Sequence, residues 1–155
     1  MSNPVQDFKS FTTNDIISRL PENIRECLRK NLVPKLRSGK PLRVYCDGVF
    51  DMFHFGHMRM LKQIKDMIPN VYLVVGVCSD SDIETNKGSH IMNNDERIES
   101  VKHCKWVDEI YYPAPWSPDV EFLCSQSFDF VAHDVAPYAA DGSGDVYAEI
   151  KSMGM

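Results

Sequence analysis

The run Val71-Tyr72-Leu73-Val74-Val75-Gly76-Val77 leaves few folds open to this chain. A strand with one wet face alternates apolar and polar residues. This one is nearly continuously apolar, the pattern of a strand buried on both faces of a parallel sheet with helices above and below it. Parallel neighbours need crossover connections, so further strands separated by helices are required. Leu42 to Cys46, Asp108 to Tyr112 and Phe128 to Ala132 read as those strands. Between them, Met58 to Met67 is periodic enough for a helix, Asn94 to Cys104 reads as a helix with an Asn or Asp cap, and Asp119 to Gln126 reads as another helix. A last helix is expected over Asp145 to Met153. The expected fold class is α/β, a doubly wound, Rossmann-like parallel sheet, whose ligands bind beyond the carboxyl ends of the strands.

The segments just after the strands are chemically loaded: Asp47 to His57, then Cys78-Ser79-Asp80, then Pro113-Ala114-Pro115-Trp116, then His133-Asp134. The first is the densest. It places His54 and His57, three residues apart, where a strand hands over to a helix. A helix N-terminus leaves unpaired N–H groups and a partial positive charge, so a phosphate is favoured there before any side chain contributes. Gly56 lets backbone approach a ligand, and two imidazoles can donate to phosphate oxygens as charge builds up in transfer. A metal centre is the weaker alternative, since helix-borne zinc pairs usually sit four apart and no Cys-x-x-Cys accompanies these.

Composition narrows the classes further. At 155 residues, 43% hydrophobic and 25% charged, the chain suits one soluble domain. A formal net charge of −5 argues against a general nucleic-acid binder, so any anionic ligand must be met by a local positive cluster. The five cysteines have no short-spaced pairs and suit free thiols in a reducing compartment, the cytoplasm or nucleus. No stretch approaches the ~20 apolar residues of a membrane span, and the polar N-terminus lacks a signal-peptide core.

From Leu42 to its end the chain resembles the choline-phosphate cytidylyltransferases, of the nucleotidyltransferase superfamily marked by H-x-G-H. The matching blocks are Tyr-Cys-Asp-Gly-Val-Phe-Asp, His-Phe-Gly-His, Val-Gly-Val-Cys-Ser-Asp, Lys-Gly, Asn-Asp-Glu-Arg, Trp-Val-Asp-Glu-Ile, Ala-Pro-Trp and Phe-Val-Ala-His-Asp. The resemblance implies that phosphocholine attacks the α-phosphate of CTP, giving CDP-choline and pyrophosphate with Mg²⁺ assisting, a step of phosphatidylcholine synthesis. It implies catalytic roles for His54, His57, Lys87 and Arg97, with Lys87 reaching phosphate oxygens from a mobile loop. Asp47, Gly48, Phe50 and Gly56 would form the nucleotide site.

A quaternary ammonium has no N–H to donate, so it is held by aromatic faces and a carboxylate. The resemblance implies that Trp116, Tyr138 and Tyr147 supply the faces and Asp134 the charge, with His133 beside them. The same transfer to phosphoethanolamine or glycerol 3-phosphate stays open, as does a non-catalytic nucleotide-binding subunit or, more distantly, a metal-binding domain built on His54, His57, His103 and His133. The block Lys105 to Ile110 resembles a dimer-interface motif and implies a homodimer.

The domain reading is a catalytic unit over residues 41–155 preceded by an N-terminal helical segment over residues 1–40. In the family, a segment of the type Arg-Thr-x-Gly-Ile-Ser-Thr-Ser-Asp-Ile-Ile-x-Arg-Ile, which holds the nucleotide phosphates, comes after the helix that ends here near Met155. Residues 3–20 look like that segment moved to the front, with Thr12 and Thr13 as phosphate-binding hydroxyls. A circular permutation is therefore expected, although Asp7 falls where the family has arginine and only Lys9 is near enough to replace it. No basic amphipathic helix comes after the catalytic region, so membrane-sensing regulation is not expected of this chain.

Overall fold

A computed structural model describes residues 39–67, 70–133 and 145–153. The N-terminal segment with Thr12 and Thr13, and the segment with Asp134 and Tyr138, lie outside the described residues. In chain order the elements are β1 (Leu42–Gly48), α1 (Phe55–Met67), β2 (Val71–Cys78), α2 (Asp80–Asn86), α3 (Asn94–Lys102), β3 (Glu109–Ala114), α4 (Val120–Ser125), β4 (Phe130–Val131) and α5 (Ala148–Met153). The four strands form one parallel sheet in the order β3-β2-β1-β4. Leu42 pairs with Val71 and Gly48 with Val77, so β1 and β2 end level with each other.

The apolar run does what its composition requires. Leu73, Val75 and Val77 point to one face, where they bury Leu61 and Ile64 of α1 and Val101 of α3. Val74 points to the other, joining Tyr45, Leu123 of α4, Phe128, Tyr147 and Ile150 of α5. Helices therefore cover both faces of the sheet. Truncating a fully buried member such as Leu73 to Ala is expected to cost about 2–5 kcal/mol, because the transfer energy is lost and a cavity remains.

Element boundaries reflect local chemistry. α3 starts where Asn93 accepts from the Glu96 N–H while the Glu96 carboxylate accepts from the Asn93 N–H, and α4 starts where Asp119 accepts from the Phe122 N–H. From sequence, Cys78-Ser79-Asp80 reads as a strand end without a helix, yet α2 begins there with Ser79 as its cap and Asp80 and Asp82 in its first turn. The signal is a serine ahead of two acidic residues. Only Ile83 of this helix is buried, which leaves no apolar stripe to read.

Arg97 and the block Lys105 to Ile110 also hold parts of the fold together. Arg97 is fully buried, described with the site below. In the block Lys105 to Ile110, the Asp108 carboxylate accepts from the Leu73 N–H at 2.6 Å and pairs with Lys65, while the Lys62 and Lys105 ammonium groups stand 5.3 and 4.6 Å from the Trp106 ring centroid. Those side chains tie β2, α1 and β3 together within one chain. No helix among the described residues is long and apolar enough to cross a membrane.

Candidate active site

A cavity of about 140 Å³ opens at the carboxyl ends of β1 and β2. Asp47, Gly48, Val49, Cys78, Lys87, Trp116, His133 and Tyr147 line it. The sheet order explains the place: β1 connects onward to β2 on one side and has β4 on the other, so its C-terminal end lies at the point where the winding reverses.

On one wall the Tyr147 hydroxyl donates to Asp47 Oδ1 at 2.9 Å, and the His133 ring lies 3.9 Å from the Tyr147 ring, centroid to centroid. Burial pushes the Asp47 carboxyl above the usual carboxylate range, partly opposed by the bond from Tyr147 and by His133. Burial and the neighbouring Asp47 also push the Cys78 thiol up to about 12, so it is an inert wall of the cavity and no nucleophile. Trp116 packs against the small cluster of Cys78, Ile83 and Ala114.

The histidine pair stands beyond these lining residues, at the start of α1. The His54 carbonyl accepts the Met58 N–H, so His54 immediately precedes the helix and His57 is in its first turn. The two rings are 4.2 Å apart, centroid to centroid. Their Nδ1 atoms are both taken: the Gly56 N–H donates to His54 Nδ1 at 3.0 Å, and the His54 N–H donates to His57 Nδ1 at 3.2 Å. In each neutral ring the proton must then sit on Nε2, the edge left to donate to a ligand. His57 is further fixed by stacking on Phe53, with 5.4 Å between centroids, and by the edge of Phe50. Burial, His54 and Lys87 together hold the His57 imidazole below its ordinary value, which keeps it neutral at neutral pH. Lys87 thus belongs to both halves: it lines the cavity and its charge is felt by His57.

Gly56 is required for a reason that sequence reading only approximated. A Cβ there would lie 2.7 Å from His54 Cε1 and 2.9 Å from Nδ1, so any side chain displaces the imidazole. Phe50, by contrast, is 4% exposed and packs edge-on against His57, holding a left-handed backbone at φ 55. Its side chain supports the loop, and the strained conformation persists because its ring is locked in the core.

Arg97 is not among the cavity-lining residues, and its guanidinium is turned inward. It donates to the Val49 carbonyl at 2.8 Å, the Met92 carbonyl at 3.1 Å, Asp80 Oδ1 at 2.7 Å and Asn94 Oδ1 at 3.0 Å. With these partners it joins the β1–α1 loop to the starts of α2 and α3. Burial raises the Asp80 carboxyl, but the bond from Arg97 and other partners outweigh it and leave the group below its ordinary range. Val49 and Cys78 fall in the segments after the strands that the sequence singles out, yet neither is assigned to the site from sequence; both line the cavity.

The cytidylyltransferase-like family model matches residues 45–155, the stretch that holds every described element except the first residues of β1. The chain belongs to the cytidylyltransferase-like family. This cytidylyltransferase-like chain is 53% identical over 116 residues to a probable choline-phosphate cytidylyltransferase of Schizosaccharomyces pombe, which covers 75% of this chain and 32% of the relative. It is 44% identical over 142 residues to the choline-phosphate cytidylyltransferase of Saccharomyces cerevisiae, 92% of this chain and 33% of that one. An ethanolamine-phosphate cytidylyltransferase of Dictyostelium discoideum is 45% identical over 117 residues, 74% of this chain and 31% of its own. The chain therefore spans about a third of the length of these relatives. The S. cerevisiae match is too long to fit within residues 45–155, so it reaches upstream of β1 in the same chain order. The permutation expected from residues 3–20 falls outside the described residues.

Proposed function

We propose that this chain transfers the cytidylyl group of CTP to phosphocholine, releasing pyrophosphate. The observation that carries the reading is the cavity itself, which one carboxylate, Asp47, lines together with the rings of Trp116, His133 and Tyr147 and with the Lys87 cation. A quaternary ammonium is attracted by aromatic faces and by a carboxylate, and cannot use hydrogen-bond acceptors as a primary amine does. Lys87 then meets the phosphate joined to that cation. On this reading Asp47, assigned from sequence to the nucleotide, serves the cation; Asp134 and Tyr138, expected from sequence in the same set, lie outside the described residues.

In the transfer, a phosphocholine oxygen forms a bond to the α-phosphorus of CTP as the bond from that phosphorus to the pyrophosphate oxygen breaks. The chain positions and stabilises and supplies no covalent intermediate. The Nε2 edges of His54 and His57 and the N-terminus of α1 donate to the oxygens that gain charge, and Lys87 offsets charge between the two substrates. Among the described residues no group of three or more His, Cys, Asp or Glu is placed to hold a metal ion. Mg²⁺ would be held by the triphosphate oxygens, whose charge it offsets. The homodimer belongs to this proposal, and sedimentation of the chain alone tests it.

Pyrophosphate release from CTP, measured in parallel with phosphocholine, phosphoethanolamine and glycerol 3-phosphate, tests the function. Turnover restricted to phosphocholine is expected. Turnover favouring phosphoethanolamine would overturn the cation assignment, and CTP binding without turnover would leave a nucleotide-binding subunit.

A further inference from the structure

We propose that Asp51 is a positioning residue that fixes Lys87 relative to the histidine pair. Its carboxylate joins two loops distant in sequence. Oδ1 accepts from its neighbour Met52 N–H at 3.0 Å and from Met92 N–H at 2.9 Å, and Oδ2 accepts from Ile91 N–H at 2.9 Å. One side of this tether leads within three residues to His54. The other leads back to Lys87.

The segment from Lys87 to Met92 is held at both ends. At its start the Lys87 and Gly88 N–H groups both donate to the Ile83 carbonyl, at 2.8 and 2.9 Å, closing α2, and Gly88 turns with φ 108. In its middle the His90 Nε2 lies 3.0 Å from Asp80 Oδ1. At its end Asp51 takes two consecutive backbone donors. Without those two bonds the exposed Ile91 has no described polar contact to the β1–α1 loop, and residues 87–92 are tied to that loop only at Met92, whose carbonyl shares Arg97 with the Val49 carbonyl and whose sulfur accepts from the Met52 N–H at 3.2 Å, and through α2. Ile91 is exposed enough for water to take the place of its bond, so the value of the carboxylate there lies in geometry and not in burial.

An amide cannot reproduce this. Asn at position 51 keeps one acceptor and turns an NH₂ group toward the N–H on the other side, Ile91 if the oxygen stays with Met52 and Met92, so the two-point link to residues 91 and 92 falls to one point strained by donor facing donor while side-chain volume is nearly unchanged. The inference rests on the reading of Lys87 as a phosphate-facing group in the proposed function.

The test compares the full chain with D51N, K87A and the double variant, by amide hydrogen exchange and by calorimetric titration with CTP. In D51N, faster exchange is expected at Ile91 and Met92 with β2 unchanged, together with CTP binding weakened by about tenfold to a hundredfold, as for groups that orient other groups. K87A is expected to add little in the D51N background. Unchanged exchange at Ile91 and Met92, or penalties for D51N and K87A that simply multiply, would overturn the proposal. If the unaltered chain binds no CTP, the proposed function fails, and exchange at residues 91 and 92 alone then decides for or against the tether. Should D51N lose protection throughout β2, D51E takes its place, with recovered protection at Ile91 and Met92 expected and its absence counting against.

Discussion

The Tyr147 hydroxyl donates to Asp47 Oδ1 at 2.9 Å, joining a residue beside the last helix to the end of the first strand. That bond opposes the effect of burial, which raises the Asp47 pKa. In Y147F the opposition is gone and the carboxyl rises further. Because Asp47 must be ionised to attract a cation, the acid limb of the rate profile is expected to move to higher pH. The loss should appear in the KM for phosphocholine and leave CTP binding largely intact, and a limb that does not move would show that Asp47 does not face the cation.

Asp47 also sets a conflict between activity and stability. Its folded pKa lies above the unfolded value, so its contribution is favourable while protonated and is lost as pH rises through the folded value. D47N keeps an acceptor for Tyr147 and removes that loss. A higher Tm than the unaltered chain is expected at neutral pH, with the difference vanishing below about pH 4, where unfolded carboxylates also protonate. Phosphocholine turnover should fall at the same time.

Gly56→Ala tests whether the histidine geometry matters apart from the histidines themselves. Its Cβ meets His54 at 2.7 Å, and the ring is expected to swing away and lose the bond from the residue 56 N–H. Loss of one well-aimed donor costs about a hundredfold to a thousandfold in rate. Steady-state kinetics beside a thermal melt separate this from unfolding: rate should fall sharply while Tm changes little.

Tyr45 and Gly76 give a test inside the core. The Tyr45 hydroxyl is buried with no hydrogen-bond partner among the described residues, and a Cβ at Gly76 would lie 2.3 Å from it. Y45F removes an unsatisfied polar group and should raise stability by about 1 kcal/mol. Gly76→Ala overpacks the same spot and should lower it by about 1–3 kcal/mol, read from denaturant unfolding. A destabilised Y45F would mean that the hydroxyl has a partner.

The sheet was legible because burial on both faces leaves its mark on every residue of Val71 to Val77, and the histidine pair because two imidazoles and a glycine fall where a strand gives way to a helix. The hidden features depend on distant parts of the chain. Arg97 reads, through the resemblance, as a catalytic cation early in a capped helix, and nothing local shows that Val49 and Asp80 will be brought to it. Asp47 reads as part of a phosphate loop, and only the packing of α5 shows that Tyr147 claims it. Val49 and Cys78 become cavity walls solely through the level ends of β1 and β2.

The inward turn of Arg97 bears on how variant surveys of this chain are interpreted. A guanidinium with four protein partners and no exposure cannot be exchanged for lysine, which has neither the fork nor the reach in three directions. Losing a buried partner of this kind costs about 3–5 kcal/mol, a large share of what holds a small domain folded. In a screen scored by turnover alone, position 97 would rank with His54 and His57. Scored by abundance, it would separate from them at once, because the histidine variants accumulate as folded protein and the arginine variants do not.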